Sequence, residues 1–246
     1  MHSINHPHPQ PLLGRVALVT GGSRGIGKAI ACRLAALGAS ISICGRHPES
    51  LKAAAQEISS TAAKVLARPA DVTNATEIDS LIQVTESQLG PISLLVNNAG
   101  IGNPGFGPVQ TKSEGDWDLV LDTNLKSAFL VSHAVAPLMI QRRGGDIINI
   151  SSLAGKNTFA GGALYCASKW GLQGLTGCMA EDLRQFGIRV SVICPGSVAT
   201  EFSGRGPKDT AKVLTAEDVA HAVAMLAIQG PQSFISEVHL RPVAKP

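Results

Sequence analysis

Val16-Ala17-Leu18-Val19-Thr20-Gly21-Gly22-Ser23-Arg24-Gly25-Ile26-Gly27 decides the fold of this chain. The first five residues are an apolar, β-prone run. The next seven are a glycine-rich turn. A helical pattern follows, with Ile30, Leu34 and Leu37 on one side and Gly38 at its end. Strand, glycine loop and helix together make a phosphate-binding turn. Glycines let the backbone bend sharply and approach a ligand, and the helix N-terminus offers free N–H groups and a positive dipole end. The spacing is GxxxGxG, which differs from the GxGxxG of the usual dinucleotide fingerprint.

Outward from the loop, strands and helices alternate. Ile41–Cys44 reads as the second strand and Gly45-Arg46-His47 follows it. Folds that select NAD often carry Asp or Glu there, on the ribose 2′-hydroxyl. An Arg suits a 2′-phosphate instead. Arg46, with Arg24 in the glycine loop, therefore predicts NADP(H) over NAD(H). Pro48 opens a helix through Ser59. Lys64–Ala67 reads as a third strand leading to Asp71-Val72. The Asp71 carboxylate there either accepts from an adenine amino group or serves a helix N-terminus. Thr76–Leu89 is an amphipathic helix, and Ile92–Val96 a fourth strand ending in Asn97-Asn98-Ala99-Gly100. This alternation implies βαβ units and a parallel sheet covered on both faces.

The loop 101–109 is punctuated by glycine and proline, and a long helix is expected from Ser113 to Gln141. It is expected to break early at Gly115 and to kink at Pro137. Asn124 lies inside it, and His133 reads as a packed or surface histidine. Asp146–Ile150 is a fifth strand with Ser151-Ser152 at its carboxyl end. A helix then runs from Leu164 to Phe186 and carries Tyr165-Cys166-Ala167-Ser168-Lys169. Tyr165 and Lys169 are four residues apart and share a helix face. A phenol titrates near pKa ~10, and an ammonium within a few ångströms favours the phenolate. Such a tyrosine can exchange a proton in carbonyl/alcohol chemistry. Ala167, Gly171, Gly174 and Gly177 allow a close neighbour on this helix, either in the same chain or in a second subunit. Arg189–Cys194 is a sixth strand ending at Pro195-Gly196. The segment 197–214 has the composition of a lid over a ligand. Thr215 caps a helix that ends at Gly230-Pro231, and Phe234–Leu240 is the last strand.

Length and composition set the class. The 246 residues are 44% hydrophobic and 16% charged, which is globular. The net charge of +3, with no basic run, argues against nucleic acid. Residues 1–13 read as a flexible tail and 14–246 as one catalytic domain; the tail has neither the basic start nor the apolar core of a signal peptide. No apolar run reaches the ~20 residues that span a bilayer. The five cysteines (32, 44, 166, 178 and 194) show no CxxC spacing, so reduced thiols and a cytoplasmic setting are expected, without a metal site.

Thr20-Gly21-xxx-Gly25-x-Gly27, Asn97-Asn98-Ala99-Gly100, Asn124, Ser152, Tyr165-xxx-Lys169 and Pro195-Gly196 together resemble the short-chain dehydrogenase/reductase family over about residues 14–240. The interval from Ser152 to Tyr165 also matches that family and selects Ser152 over Ser151. The resemblance implies α/β architecture: a single Rossmann-type domain with a doubly wound parallel sheet of about seven strands, assembled as a homotetramer or homodimer. It implies Asn124, Ser152, Tyr165 and Lys169 as the catalytic set. Hydride would pass from NADPH to a carbonyl carbon, while Tyr165 protonates the growing alkoxide. Ser152 would position that oxygen. Lys169 would lower the Tyr165 pKa and hold the nicotinamide ribose, and Asn124 would hold a water linking Lys169 to solvent. Cofactor contacts are expected from Gly21, Ser23, Arg24, Gly25, Ile26 and Gly27, and from Arg46, Asp71 and Val72. Further contacts are expected from Asn98, Ala99, Gly100, Tyr165 and Lys169, and from Pro195, Gly196, Val198 and Thr200.

The first 200 residues are most similar to the 3-oxoacyl-acyl-carrier-protein reductase branch, through TGGSRGIG and NNAG. The end departs from it, with SFISEVHLRPV where that branch has a glycine-containing close. A small carbonyl or alcohol substrate is expected, with an acyl carrier protein or CoA thioester as one form of it. Arg142 and Arg143 either dock an acidic carrier or complement a helix C-terminus. The alternatives are an NADP-dependent alcohol or sugar dehydrogenase, and an NADPH-binding regulatory protein without turnover.

Overall fold

β1 (Val16–Thr20) is buried at every residue because both of its faces are covered. Its alternation is still visible in three dimensions. Ala17 and Val19 enter one apolar cluster with α1 (Gly25–Ala36), α2 (Pro48–Ser59) and α7 (Ala216–Ala227). Val16 and Leu18 enter the opposite cluster, with α3 (Ala75–Leu89), α5 (Ser127–Arg142) and α6 (Ala163–Leu183). The computed structural model describes residues 10–60, 63–102, 104–200, 202 and 212–244. These form a seven-stranded, all-parallel sheet in the order β3-β2-β1-β4-β5-β6-β7. The remaining strands are β2 (Ser40–Gly45), β3 (Val65–Pro69), β4 (Ile92–Asn97), β5 (Gly145–Ile150), β6 (Ile188–Pro195) and β7 (Glu237–Leu240). The order reverses direction between β1 and β4. That switch point opens a crevice at the carboxyl ends of the strands, where ligands bind in such folds.

Local chemistry sets the helix starts. Asn74 accepts from the amides of Thr76 and Glu77 at the head of α3. Ser113 with Asp116 opens α4 (Glu114–Leu121), and Thr215 with Asp218 opens α7, both through reciprocal capping boxes. At the other end of the sheet Asp146 is 3% exposed, and Arg15 and Arg189 donate to its two oxygens at 2.7 and 2.6 Å. A buried carboxylate needs such partners.

Three expectations change. The helix expected over 113–141 does not break at Gly115, which lies within the first turn of α4. It is interrupted by one wide π-type turn, Asp122–Lys126, and α5 then runs on through Pro137. The cause is Asn124: the extra residue in the turn aims its side chain at the loop after β4. The packed chain also begins earlier than residue 14. Leu12 is 1% exposed and its amide donates to Leu37 at 2.9 Å, tying 10–13 to the end of α1. The rest of the expected tail lies outside the described residues, as does most of the expected lid, of which 201 and 203–211 are not described. Finally, Arg142 faces Glu86 in a bidentate pair, and Arg143 closes α5 in the left-handed conformation, φ 54°. Arg142 is thus committed within the chain.

Candidate active site

The glycine loop is shaped by two needs. Gly21 and Gly25 adopt φ of +64° and +52°, which L side chains rarely take. Gly27 has no room: a Cβ there would lie 2.2 Å from the Gly21 carbonyl and 2.4 Å from Asn98 Nδ2. That amide donates to Thr20 O and Gly21 O at 3.0 and 3.2 Å. Thr20 Oγ1 accepts from the amides of Asn98 and Ala99, both at 3.0 Å. The loop after β1 and the loop after β4 are therefore stitched into one wall. Thr20 had been visible in the sequence only as part of the motif, with no role attached.

A cleft of about 520 Å³ opens over this wall. Of the expected cofactor residues, Gly21, Ser23, Arg24, Gly25, Ile26, Gly27, Arg46, Asp71, Val72, Asn98, Ala99, Gly100 and Thr200 line it. His47, Thr73, Ile101, Leu119, Asp122, Thr123 and Phe202 line it too. No motif marked these; they are reached only because the sheet folds their loops together. Arg24 and Arg46 are exposed at the cleft. Asp71 Oδ1 accepts from the Thr73 amide at 2.9 Å and the Thr73 hydroxyl at 2.7 Å. The Thr73 amide, helped by its hydroxyl and by Arg46, holds the Asp71 carboxyl below the usual range. Asp71 therefore does not cap α3, which Asn74 does. Pro195, Gly196 and Val198, and likewise Tyr165 and Lys169, do not line the cleft. Gly196 N donates to Leu240 at 2.8 Å, and Val198 pairs with Leu214 in a short parallel bridge.

The four expected catalytic residues converge. Lys169 is 3% exposed, and its Nζ donates to the Ile150 carbonyl at 3.0 Å, 5.9 Å from the Tyr165 ring centre. Ser152 Oγ accepts from the Ala154 amide at 3.1 Å and donates to the Pro195 carbonyl at 3.4 Å, and its hydroxyl is near enough to Tyr165 to pull the phenol's pKa down. Ser151 is turned away: its hydroxyl reaches Lys169 O and Gln173. A Cβ on Gly100 would lie 3.2 Å from Asn124 Oδ1 and 3.8 Å from Lys169 Nζ, so this group adjoins the cleft wall.

Two features bear on the expected roles. Burial pushes Tyr165 up to about 12, against the pull of its Ser152 hydrogen bond, and the same burial brings Lys169 down to about 8. Burial dominates the phenol in this site, and the Lys169 ammonium is directed at the Ile150 carbonyl. The Asn124 side chain is also largely committed. Its Oδ1 accepts from Ile101 N at 2.7 Å, and its Nδ2 donates to Ile101 O at 2.9 Å and Ser168 Oγ at 3.1 Å. The side chain clamps the loop after β4; with both amide hydrogens placed, a water could reach it only as a donor to the second lone pair of Oδ1. At the sheet edge Cys194, Glu237 and His239 bring one potential ligand atom each within 4.8 Å of one another. The Glu237 carboxylate there is already held by Lys156 and His239.

A switch-point cleft with a glycine phosphate turn on one wall and a Ser–Tyr–Lys group adjoining it defines a dinucleotide-dependent oxidoreductase site. The short chain dehydrogenase family model matches residues 15–211, and the chain belongs to that family. It is 40% identical over 193 residues to a 3-oxoacyl-[acyl-carrier-protein] reductase of Synechocystis, covering 78% of this chain and 77% of that one. A metagenomic short-chain oxidoreductase solved in complex with NADP is 44% identical, with a TM-score of 0.84 over 95% of this chain and 99% of the other. An alcohol dehydrogenase of the archaeon Thermococcus sibiricus, complexed with 5-hydroxy-NADP, is 26% identical with a TM-score of 0.88, covering 94% and 98%.

Proposed function

We propose that this protein is an NADPH-dependent reductase of a ketone, with Tyr165 as the proton donor. The observation that carries this is the juxtaposition of a buried Tyr165–Lys169 pair and the half-buried Ser152 with a cleft that two arginines line. NADPH fits the residues present. Gly21 and Gly27 let the loop pack tightly on Asn98, Gly25 at the N-terminus of α1 has only Thr200 near its missing Cβ and so leaves room for a pyrophosphate, and Arg24 and Arg46 suit a 2′-phosphate. Two structural relatives are described with NADP or a derivative of it.

When bound, the cofactor supplies the hydride. The chain's own work is proton placement. A phenol raised to about 12 is protonated at neutral pH, the form that donates to an alkoxide. Ser152 hydrogen-bonds the same oxygen and fixes where it forms. Lys169, protonated below about 8, brings a positive charge beside the phenol as the proton leaves. Asn124 acts by holding Ile101, and with it the wall beside Lys169. The reverse oxidation of an alcohol uses the same groups, as the alcohol dehydrogenase relative illustrates, and the Synechocystis relative makes a 3-oxoacyl thioester one candidate substrate.

Self-association as a dimer or tetramer accompanies this reading. Trp117, Phe129 and Trp170 are 47%, 48% and 49% exposed on α4, α5 and α6, and Gly174 and Gly177 have open space beside them. Among the described residues no helix is long and apolar enough to cross a membrane, and all five cysteines are free thiols, in keeping with the cytoplasmic setting proposed. The test is ketone-dependent oxidation of NADPH beside NADH. Selective consumption of NADPH supports the reading, and preference for NADH overturns the role given to Arg24 and Arg46.

A further inference from the structure

The chain has one tyrosine and six phenylalanines, and three of those phenylalanines gather at the tyrosine. Phe106 lies 5.1 Å from the Tyr165 ring, centre to centre, and Phe159 lies 6.2 Å from Phe106. Phe202 stands edge-on to Tyr165 at 6.0 Å. Ala154 and Cys166 complete an apolar cluster with Tyr165 and Phe106, separate from the two clusters that hold the sheet. Phe159 and Phe202 remain 47% and 40% exposed. Among the described residues, an aromatic surface that the core does not need is left open beside the proton donor.

The wall is also built to keep its shape. Lys112 Nζ donates to Pro104 O at 2.6 Å and to Phe106 O, which pins the loop carrying Phe106. Gly107 N donates to Gly161 O at 2.8 Å, which clips that loop to the one carrying Phe159. Both glycines have positive φ, and a Cβ on Gly161 would press on the Gly107 backbone at 3.4 Å. Two loops far apart in sequence thus hold two rings in a fixed relation to Tyr165.

The geometry points to an aromatic ketone as the substrate class, its ring lying against Phe106 and Phe159 while its carbonyl oxygen meets Tyr165 and Ser152. This rests on the ketone-reductase reading and deepens it. A tilted or edge-to-face ring contact improves binding by about 2- to 12-fold beyond its buried area. A flexible polar acyl-thioester arm gains none of that and must be ordered on binding. Phe106 is therefore a specificity residue, and Lys112 a positioning residue that acts through it.

The test uses the intact enzyme with NADPH and four substrates: acetophenone, cyclohexyl methyl ketone, 2-octanone and an acetoacetyl thioester of N-acetylcysteamine. We expect kcat/KM for acetophenone to exceed that for 2-octanone and for the thioester by at least tenfold. Phe106→Ala should shrink the acetophenone/2-octanone ratio by about tenfold. Phe159→Leu, at a half-exposed position that tolerates change, should shrink it several-fold. Lys112→Met should raise KM for acetophenone more than it lowers kcat. Turnover of 2-octanone or the thioester at the acetophenone rate would overturn the inference and leave the reductase standing, as would a Phe106→Ala or Phe159→Leu variant slowed equally on all substrates. Turnover of none of the four by enzyme that binds NADPH would overturn both readings.

Discussion

Replacing Gly27 by Ala adds one methyl group at the tightest point of the glycine loop. The new Cβ would stand 2.2 Å from Gly21 O and 2.4 Å from Asn98 Nδ2, so both must give way, each by about 1 Å, to reach ordinary contact. Overpacking of this kind costs about 1–3 kcal/mol. Displacing the Asn98 amide also removes its bonds to Thr20 O and Gly21 O, each worth about 1 kcal/mol. The expected loss is about 3–5 kcal/mol, or about 6–20 °C in melting temperature for a domain of this size. NADPH affinity should fall by more than tenfold, because the wall that moves is the wall it binds. Gly115→Ala is the control. That glycine lies in α4 with only Ser113 Oγ nearby, at 3.8 Å, so the same change should raise stability by about 0.5–1 kcal/mol. Thermal melts and fluorescence titration with NADPH read both variants. A Gly27→Ala protein that melts within about 2 °C of the parent and binds NADPH normally would refute this account of the loop.

Two further outcomes follow from the site. Arg46→Ala should weaken NADPH by about 10- to 100-fold and leave NADH unchanged, since a charged hydrogen bond to the 2′-phosphate is worth about 1.5–3 kcal/mol; titration of both cofactors checks it. For pH, the sign comes from Lys169, whose burial sets its pKa at about 8 while Tyr165 stays protonated up to about 12. The ammonium is present below that value and lost above it, so kcat/KM for reduction should be level below about pH 8 and fall as pH rises through it. Lys169→Arg, which does not titrate there, should remove that inflection from the pH–rate profile.

The sheet was legible because its strands are buried on both faces. Runs such as Leu94-Leu95-Val96 and Ile147-Ile148 leave no reading but strand between helices. The cap of α7 was legible at Thr215, whereas Asn74, whose side chain caps α3, was not singled out. The wide turn at Asp122–Lys126 was not, because nothing in DTNLK distinguishes it from ordinary helix; what selects it is Ile101, 23 positions away, held by Asn124. The same distinction runs through the site. Tyr165 and Lys169 share a helix face, which spacing shows, but their protonation depends on burial, which spacing does not. The rings around Tyr165 come from three separate segments, so no local pattern brings Phe106, Phe159 and Phe202 together.

The central claim is that Tyr165 donates the proton in an NADPH-dependent reduction. Tyr165→Phe removes one oxygen and keeps the ring that packs on Phe106 and Phe202. Measured beside the parent, with a ketone the parent turns over, this variant should bind NADPH within about twofold of the parent while its kcat falls by about 10²- to 10⁴-fold, the range set by loss of a general acid. A kcat within threefold of the parent would contradict the account, because the proton would then be coming from somewhere else.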